Sequence, residues 1–160
     1  MPNSADTTPP PGDDPAGELG QVLSFMRLLW ALDHGLQSAS KRMAARLGIT
    51  GPQRVAVRVL GRFPAIAAGR IAEILHVHPS TLTGILKRLE ERGFIRRTVD
   101  EKDARRALFS LTNEGKQLDR VRAGTVEASV RRVLSQLPPE KVQAAEEVLS
   151  ALAAGLEEKD

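Results

Sequence analysis

With 160 residues, 41% hydrophobic and 27% charged, the chain is long enough for one folded domain, or for one domain with a helical extension. Aromatics make up only 3%, so Leu, Val, Ile and Ala must build the core, which suits packed helices; the lack of any cysteine excludes disulfides, thiolate metal sites and thiol redox chemistry. The net charge of +3 is mild and by itself excludes little.

Residues 1–17 hold five prolines and two glycines without an apolar repeat, and the acids Asp6, Asp13, Asp14 and Glu18 meet no base before residue 19. Such a composition reads as a disordered tail. No basic segment leads into an apolar run, so no signal peptide is expected, and no apolar run of about eighteen residues marks a membrane span. Together with the missing cysteines, this gives a cytoplasmic expectation.

From about Glu18 to Leu47 the pattern predicts a long helix. Val22, Met26, Leu29 and Asp33 fall on one face, while Leu23, Leu28, Leu32 and Leu36 cover others. A chain this small can hardly surround such a helix, so part of it is expected at an intersubunit surface. Gly48 ends the helix, and Thr50-Gly51-Pro52 starts the next with a capping hydroxyl and a proline where no amide is needed. This second helix is expected to turn Val55, Val59 and Leu60 inward and to stop before Phe63-Pro64. A third covers about Ala67 to Leu75 on a stripe of Ile71, Ile74 and Leu75.

His76-Val77-His78 makes a tight turn, and a fourth helix runs from Pro79 to about Arg92, stopped by Gly93. Its Leu82, Ile85, Leu86 and Leu89 stand at i, i+3, i+4 and i+7, one buried stripe, and the opposite face is polar. The period then changes. Residues 94–99 and 107–111 read as two short strands around the charged run 100–106, a hairpin with a charged tip. Residues 87–106 hold eight bases against five acids, the concentration expected of a surface facing phosphate. Thr112 caps a long helix expected to reach about Gln136, Leu137-Pro138-Pro139 breaks the chain, and Val142, Ala145, Leu149, Leu152 and Leu156 form a near-heptad ladder on a last helix.

The order helix, helix, turn, helix, strand, tip, strand is that of a winged helix-turn-helix. The expected fold is mainly α with a small β-hairpin wing. Residues 48–112 form the DNA-binding domain, and residues 18–47 and 113–160 form a helical dimerisation domain. A helix fits the major groove of duplex DNA with its N-terminal polar side chains against base edges. Ser80, Thr81 and Thr83 permit close approach there, and Lys87 and Arg88 reach phosphates or bases. At the tip, Lys102, Arg105 and Arg106 supply positive charge suited to the minor groove, whereas Asp103 repels phosphate and is expected to buttress a neighbouring arginine. Plainer roles stand beside these: capping for Ser80 and Thr81, a solvated tip for Lys102 and Arg105, and an exposed ion pair between Arg88 and Glu91.

Met26, Trp30 and His34 lie on successive turns of the first helix, either lining an effector pocket or packing as core or dimer contact. His76 and His78 flank a turn without a cysteine or acidic cluster to complete a metal site, so neither metal nor cofactor is expected. The chain also lacks a glycine-rich phosphate loop, a cysteine nucleophile and a serine in a nucleophile elbow, which argues against an enzyme.

Three segments resemble the MarR family of bacterial regulators. Residues 48–53 (Gly-Ile-Thr-Gly-Pro-Gln) are similar to that family's approach to its second helix, and His78 to Gly93 to its recognition helix. Asp100 to Arg106, followed by Leu111-Thr112-Asn113-Glu114-Gly115, resembles its wing and the exit into the next helix. The resemblance covers residues 20–157. It implies a homodimer whose terminal helices interlock, a pseudo-palindromic double-stranded operator, and repression relieved by a small aromatic or lipophilic acid. An activator or ligand-independent regulator of the same fold, or a winged module that binds protein instead of DNA, are the alternatives. Two departures stand out: Gly84 occupies a position often basic in the family, and the absence of cysteine excludes its thiol-oxidation branch.

Overall fold

The computed structural model describes residues 19–157, so the expected tail at 1–17 lies outside the described residues. Packing divides the chain into two units, one ending at Ser38 and one beginning at Ala39. Helix α1 spans Gly20–Leu47. In the first unit its Val22, Leu23, Phe25, Leu28, Leu32 and Leu36 are all exposed.

The second unit is built on α2 (Gly51–Arg62). Thr50 and Gln53 form a capping box: the Thr50 hydroxyl accepts from the Gln53 amide, and the Gln53 side chain accepts from the Thr50 amide at 3.0 Å. Gln53, Ala56, Val57 and Leu60, at i, i+3, i+4 and i+7, face the core. Val55, expected inward, is 46% exposed; it lies two residues, about 200°, round the helix from both Gln53 and Val57. Helix α3 (Ala68–Leu75) buries Ile71 and Ala72 and leaves Ile74 at the exposed edge of its expected stripe. His76 closes it in the left-handed conformation, φ 49°, and the chain turns into α4 (Pro79–Glu91).

The hairpin expected from the sequence is part of a three-stranded sheet. Strand β1 (Ile66–Ala67), too short to leave a periodic signal, pairs antiparallel with β3 (Ala107–Leu111), which pairs in turn with β2 (Ile95–Val99). Leu82, Ile85, Leu86 and Leu89 of α4, each at most 9% exposed, pack with Ile71, Leu60, Ile95 and Leu111 in one core. Burying each such side chain stabilises by about 1.5–3 kcal/mol, so this core fixes α4 against the sheet.

The helix capped by Thr112 differs from expectation. It ends early, as α5 (Asn113–Arg120), and the chain restarts as α6 (Val126–Leu134). Gly124 takes φ 70°, and Thr125 caps α6 by accepting from the Ala128 amide. The carbonyls freed at the break are not left to water. Arg54 of α2, 0% exposed, donates from Nη1 to the Leu118 carbonyl at 2.6 Å and from Nη2 to that of Val121 at 2.6 Å. Its Nε and Nη2 both donate to Glu127 Oε1 in the first turn of α6, at 2.8 and 2.6 Å. Beside it, Arg58 pairs with Asp119 at 2.6 Å. The expected proline break holds, and α7 (Pro139–Glu157) follows. Val130, Val133, Leu137, Val148, Leu149 and Leu156 on and between α6 and α7 are exposed.

Candidate nucleic-acid interface

Two turns of backbone chemistry aim α4. His78 is its N-cap: Nδ1 accepts from the Ser80 amide at 3.2 Å and lies 2.7 Å from the Ser80 hydroxyl. The capping role considered for Ser80 and Thr81 thus belongs to His78. At the other end, Arg92 donates to the Gly48 carbonyl and stacks over the Phe94 ring, 5.0 Å from its centroid. The helix is held at both ends.

Its outward face carries Ser80, Thr81, Thr83, Gly84, Lys87 and Arg88, every one exposed. Thr83 donates its hydroxyl proton to the Pro79 carbonyl at 2.9 Å, so toward solvent it offers lone pairs and a methyl group. The Thr81 hydroxyl has no hydrogen-bond partner among the described residues, which leaves it both donor and acceptor. The expected Arg88–Glu91 pair is instead Lys87–Glu91, at 3.8 Å and one helical turn apart, which leaves Arg88 without an ion pair among the described residues. Exposed pairs of this kind contribute only a few tenths of a kcal/mol, about 0.3–0.5, so Lys87 remains available. Gly84 has nothing within 4 Å of where a Cβ would stand, so the helix approaches any partner there with bare backbone.

The wing tip is a closed turn. Asp100 and Arg106 join through the Asp100 amide and the Arg106 carbonyl at 2.9 Å, and the Arg106 amide donates to the Asp103 carbonyl at 2.8 Å. The Asp103 carboxylate accepts from the Arg105 amide at 3.1 Å and lies 3.7 Å from Arg105 Nε. The Arg105 side chain is otherwise 96% exposed, and Lys102 and Arg106 are exposed as well. After β3, Thr112 donates to the Gly93 carbonyl at 2.6 Å and accepts from the Gly115 amide at 3.1 Å, tying the wing's base to the end of α4.

Met26, Trp30 and His34 are exposed on α1 within the first unit, Trp30 at 66%. Neither the groove beside α4 nor the one around Phe63 and Ile74 is lined by any of the three. Among the described residues no three His, Asp or Glu side chains gather to hold a metal, and no helix is long and apolar enough to cross a membrane.

The feature that sequence reasoning missed is the Arg54 network. Its one signal was Gly124-Thr125, a left-handed stop followed by a capping residue inside an apparently continuous helical pattern.

Comparison with known proteins gives the same architecture. The model of the MarR family matches residues 49–107. An uncharacterised HTH-type transcriptional regulator of Bacillus subtilis, YfiV, is 33% identical over 133 residues, 83% of this chain and 81% of that protein. The HTH-type transcriptional repressor MdtR of the same organism is 32% identical over 139 residues, 86% of this chain and 89% of that one. Among solved structures, the MepR–DNA complex of S. aureus superposes with a TM-score of 0.70 at 22% identity, covering 82% of this chain and 97% of that one.

Proposed function

The chain belongs to the MarR family of DNA-binding transcriptional regulators, and on that premise we propose that it is a homodimeric repressor that leaves its operator on binding a small aromatic or lipophilic acid. One observation carries the reading: α4 buries a full apolar stripe against the core and turns an entirely exposed hydroxyl and cationic face outward, beside an exposed basic hairpin. That pairing is what a major-groove helix and a minor-groove wing require.

Within it, Ser80, Thr81 and Thr83 meet base edges, Lys87 and Arg88 meet phosphate or base, and Lys102, Arg105 and Arg106 work from the wing. Asp103 orients Arg105 through its amide and Nε. Residues 48–112 form the DNA-binding domain. Residues 18–47 and 113–160 form the dimerisation domain, on which the exposed apolar side chains of α1, α6 and α7 find their cover. Met26, Trp30 and His34 are candidates for the effector pocket. The regulator works in the cytoplasm, where bacterial DNA is.

The test is binding of the full chain to duplexes enriched from a random library and to the DNA upstream of its own gene, repeated with aromatic acids. Tight duplex binding that an acid relieves supports the reading; duplex binding untouched by any acid leaves a ligand-independent regulator. Absence of binding at about 50 mM salt, where electrostatic affinity is strongest, overturns it.

A further inference from the structure

A groove of about 730 Å³ runs between α4 and the sheet, with α3 closing its far side. Thr83, Lys87 and Glu90 of α4 form one wall at i, i+4 and i+7. The opposite wall follows from strand register. Ile95, Arg97 and Val99 alternate onto the same face of the sheet, opposite Leu111, Phe109 and Ala107. Ile95, Leu111 and Phe109 are buried on that face. At the next inward position the sequence places Arg97, cross-strand from Phe109 and exposed at the mouth of the groove. An arginine thus stands where the alternation of the strand calls for a core side chain.

The charges in the groove are unequal. Arg70 is held by Glu73 at 2.7 Å and Lys87 lies 3.8 Å from Glu91. Arg97 and Arg106 have no carboxylate partner among the described residues, and Glu90 has no cationic one. Two free cations, Arg97 on the sheet wall and Arg106 at the end of the tip beside it, therefore face one free anion on the helix wall.

A strand of DNA accounts for this layout. The major and minor grooves of a duplex are separated by a single sugar–phosphate backbone. If α4 occupies the major groove and the wing tip the adjacent minor groove, that backbone must cross the surface between them. We propose that the groove between α4 and β2–β3 seats this backbone strand, with Arg97 and Arg106 donating to its phosphates and Glu90 limiting how closely it settles. The proposal rests on the DNA-reading function above and adds Arg97, a strand residue rather than a helix or tip residue, to the surface that binds.

Phosphate contacts add affinity without sequence information. Binding of the full-length dimer to an enriched duplex and to an unrelated one, from about 50 to 200 mM salt, is therefore informative. Arg97→Ala should weaken both duplexes by the same factor and flatten the slope of log K against log salt by about 0.9, while Arg97→Lys keeps the slope. Glu90→Gln should tighten both. In a second arm, single phosphates are replaced by neutral methylphosphonates: one substitution should weaken the wild type and leave Arg97→Ala unaffected. Melting curves of the variants confirm folding, which an exposed residue should not disturb. If Arg97→Ala keeps the wild-type affinity and slope while Arg105→Ala loses both, the seat is wrong and the DNA-reading function survives. If the wild type binds no duplex, the function itself falls, and the seat with it.

Discussion

Arg54 and Glu127 stand 73 positions apart, yet Nη2 of one lies 2.6 Å from Oε1 of the other. The arginine is the largest fully buried side chain of the chain's described part, and its remaining donors serve the carbonyls that end α5. One guanidinium thereby caps α5, holds the first turn of α6 and fixes both to α2.

Removing that guanidinium leaves several buried acceptors without donors. Arg54→Ala is expected to destabilise the fold by about 3–5 kcal/mol, the range for breaking a buried charged pair from one side. Urea unfolding at fixed protein concentration measures it, since dimer stability depends on concentration. A loss under about 1 kcal/mol would mean that water replaces the arginine at no great cost.

Acid should loosen the same link. Burial pushes the Glu127 carboxyl up, but hydrogen bonds from Arg54 and from its own backbone amide, with the guanidinium charge, outweigh it and hold the carboxyl below its usual value. A depressed folded-state pKa means that the unfolded chain takes the proton more readily. The contribution is complete above the unfolded value and disappears as pH falls through the folded one. The stability difference between wild type and Glu127→Gln, measured by unfolding from about pH 7 downward, should therefore shrink below the ordinary carboxylate range. A difference independent of pH would assign the loss to packing.

Gly115 marks a backbone crossing. A Cβ there would stand 2.0 Å from the Phe94 carbonyl oxygen, and backbone cannot yield as a flexible side chain can. Gly115→Ala should cost about 1–3 kcal/mol, read as a lowered melting temperature, and shift the wing's base relative to α4. Wild-type melting would show that α5 can slide without penalty.

These features divide by how far their causes reach along the chain. The Thr50–Gln53 capping box, the Leu82-to-Leu89 stripe and the hairpin around residues 100–106 depend on neighbours within a few residues, and sequence spacing exposes them. The Leu-Thr-x-x-Gly exit was legible as a motif, but its reason, Thr112 bridging Gly93 and Gly115 beneath the Phe94 carbonyl, appears only when the segments meet. Arg54 itself left no trace in the spacing; only the helix break that it serves did, at Gly124-Thr125. A charged residue is rarely buried unless paired, and its partners lie 64 to 73 positions away. The same network explains why the expected single helix from Thr112 breaks: Arg54 supplies the cap that makes ending at Arg120 affordable. At the interface, the hydroxyls and bases of α4 were visible in the sequence; the hydrogen bond that commits Thr83, the His78 cap and the inward register of Arg97 were not.

At the wing, Arg105→Ala should weaken operator binding and lower the salt slope by about 0.9 if one phosphate contact is lost, measured by anisotropy over a salt series. Asp103→Ala should reproduce part of that loss without touching DNA, because it frees the Arg105 side chain from its positioned conformation. Equal binding by all three proteins at every salt concentration would make the tip a solvated turn.

The most direct measurement is a hydroxyl-radical footprint of the full chain on its enriched duplex at about 50 mM salt. Two copies of α4 in successive major grooves, about 34 Å apart, predict two protected patches centred 10–10.5 base pairs from each other, with further protection in the flanking minor grooves. A single protected patch, or an unprotected duplex, would contradict the account.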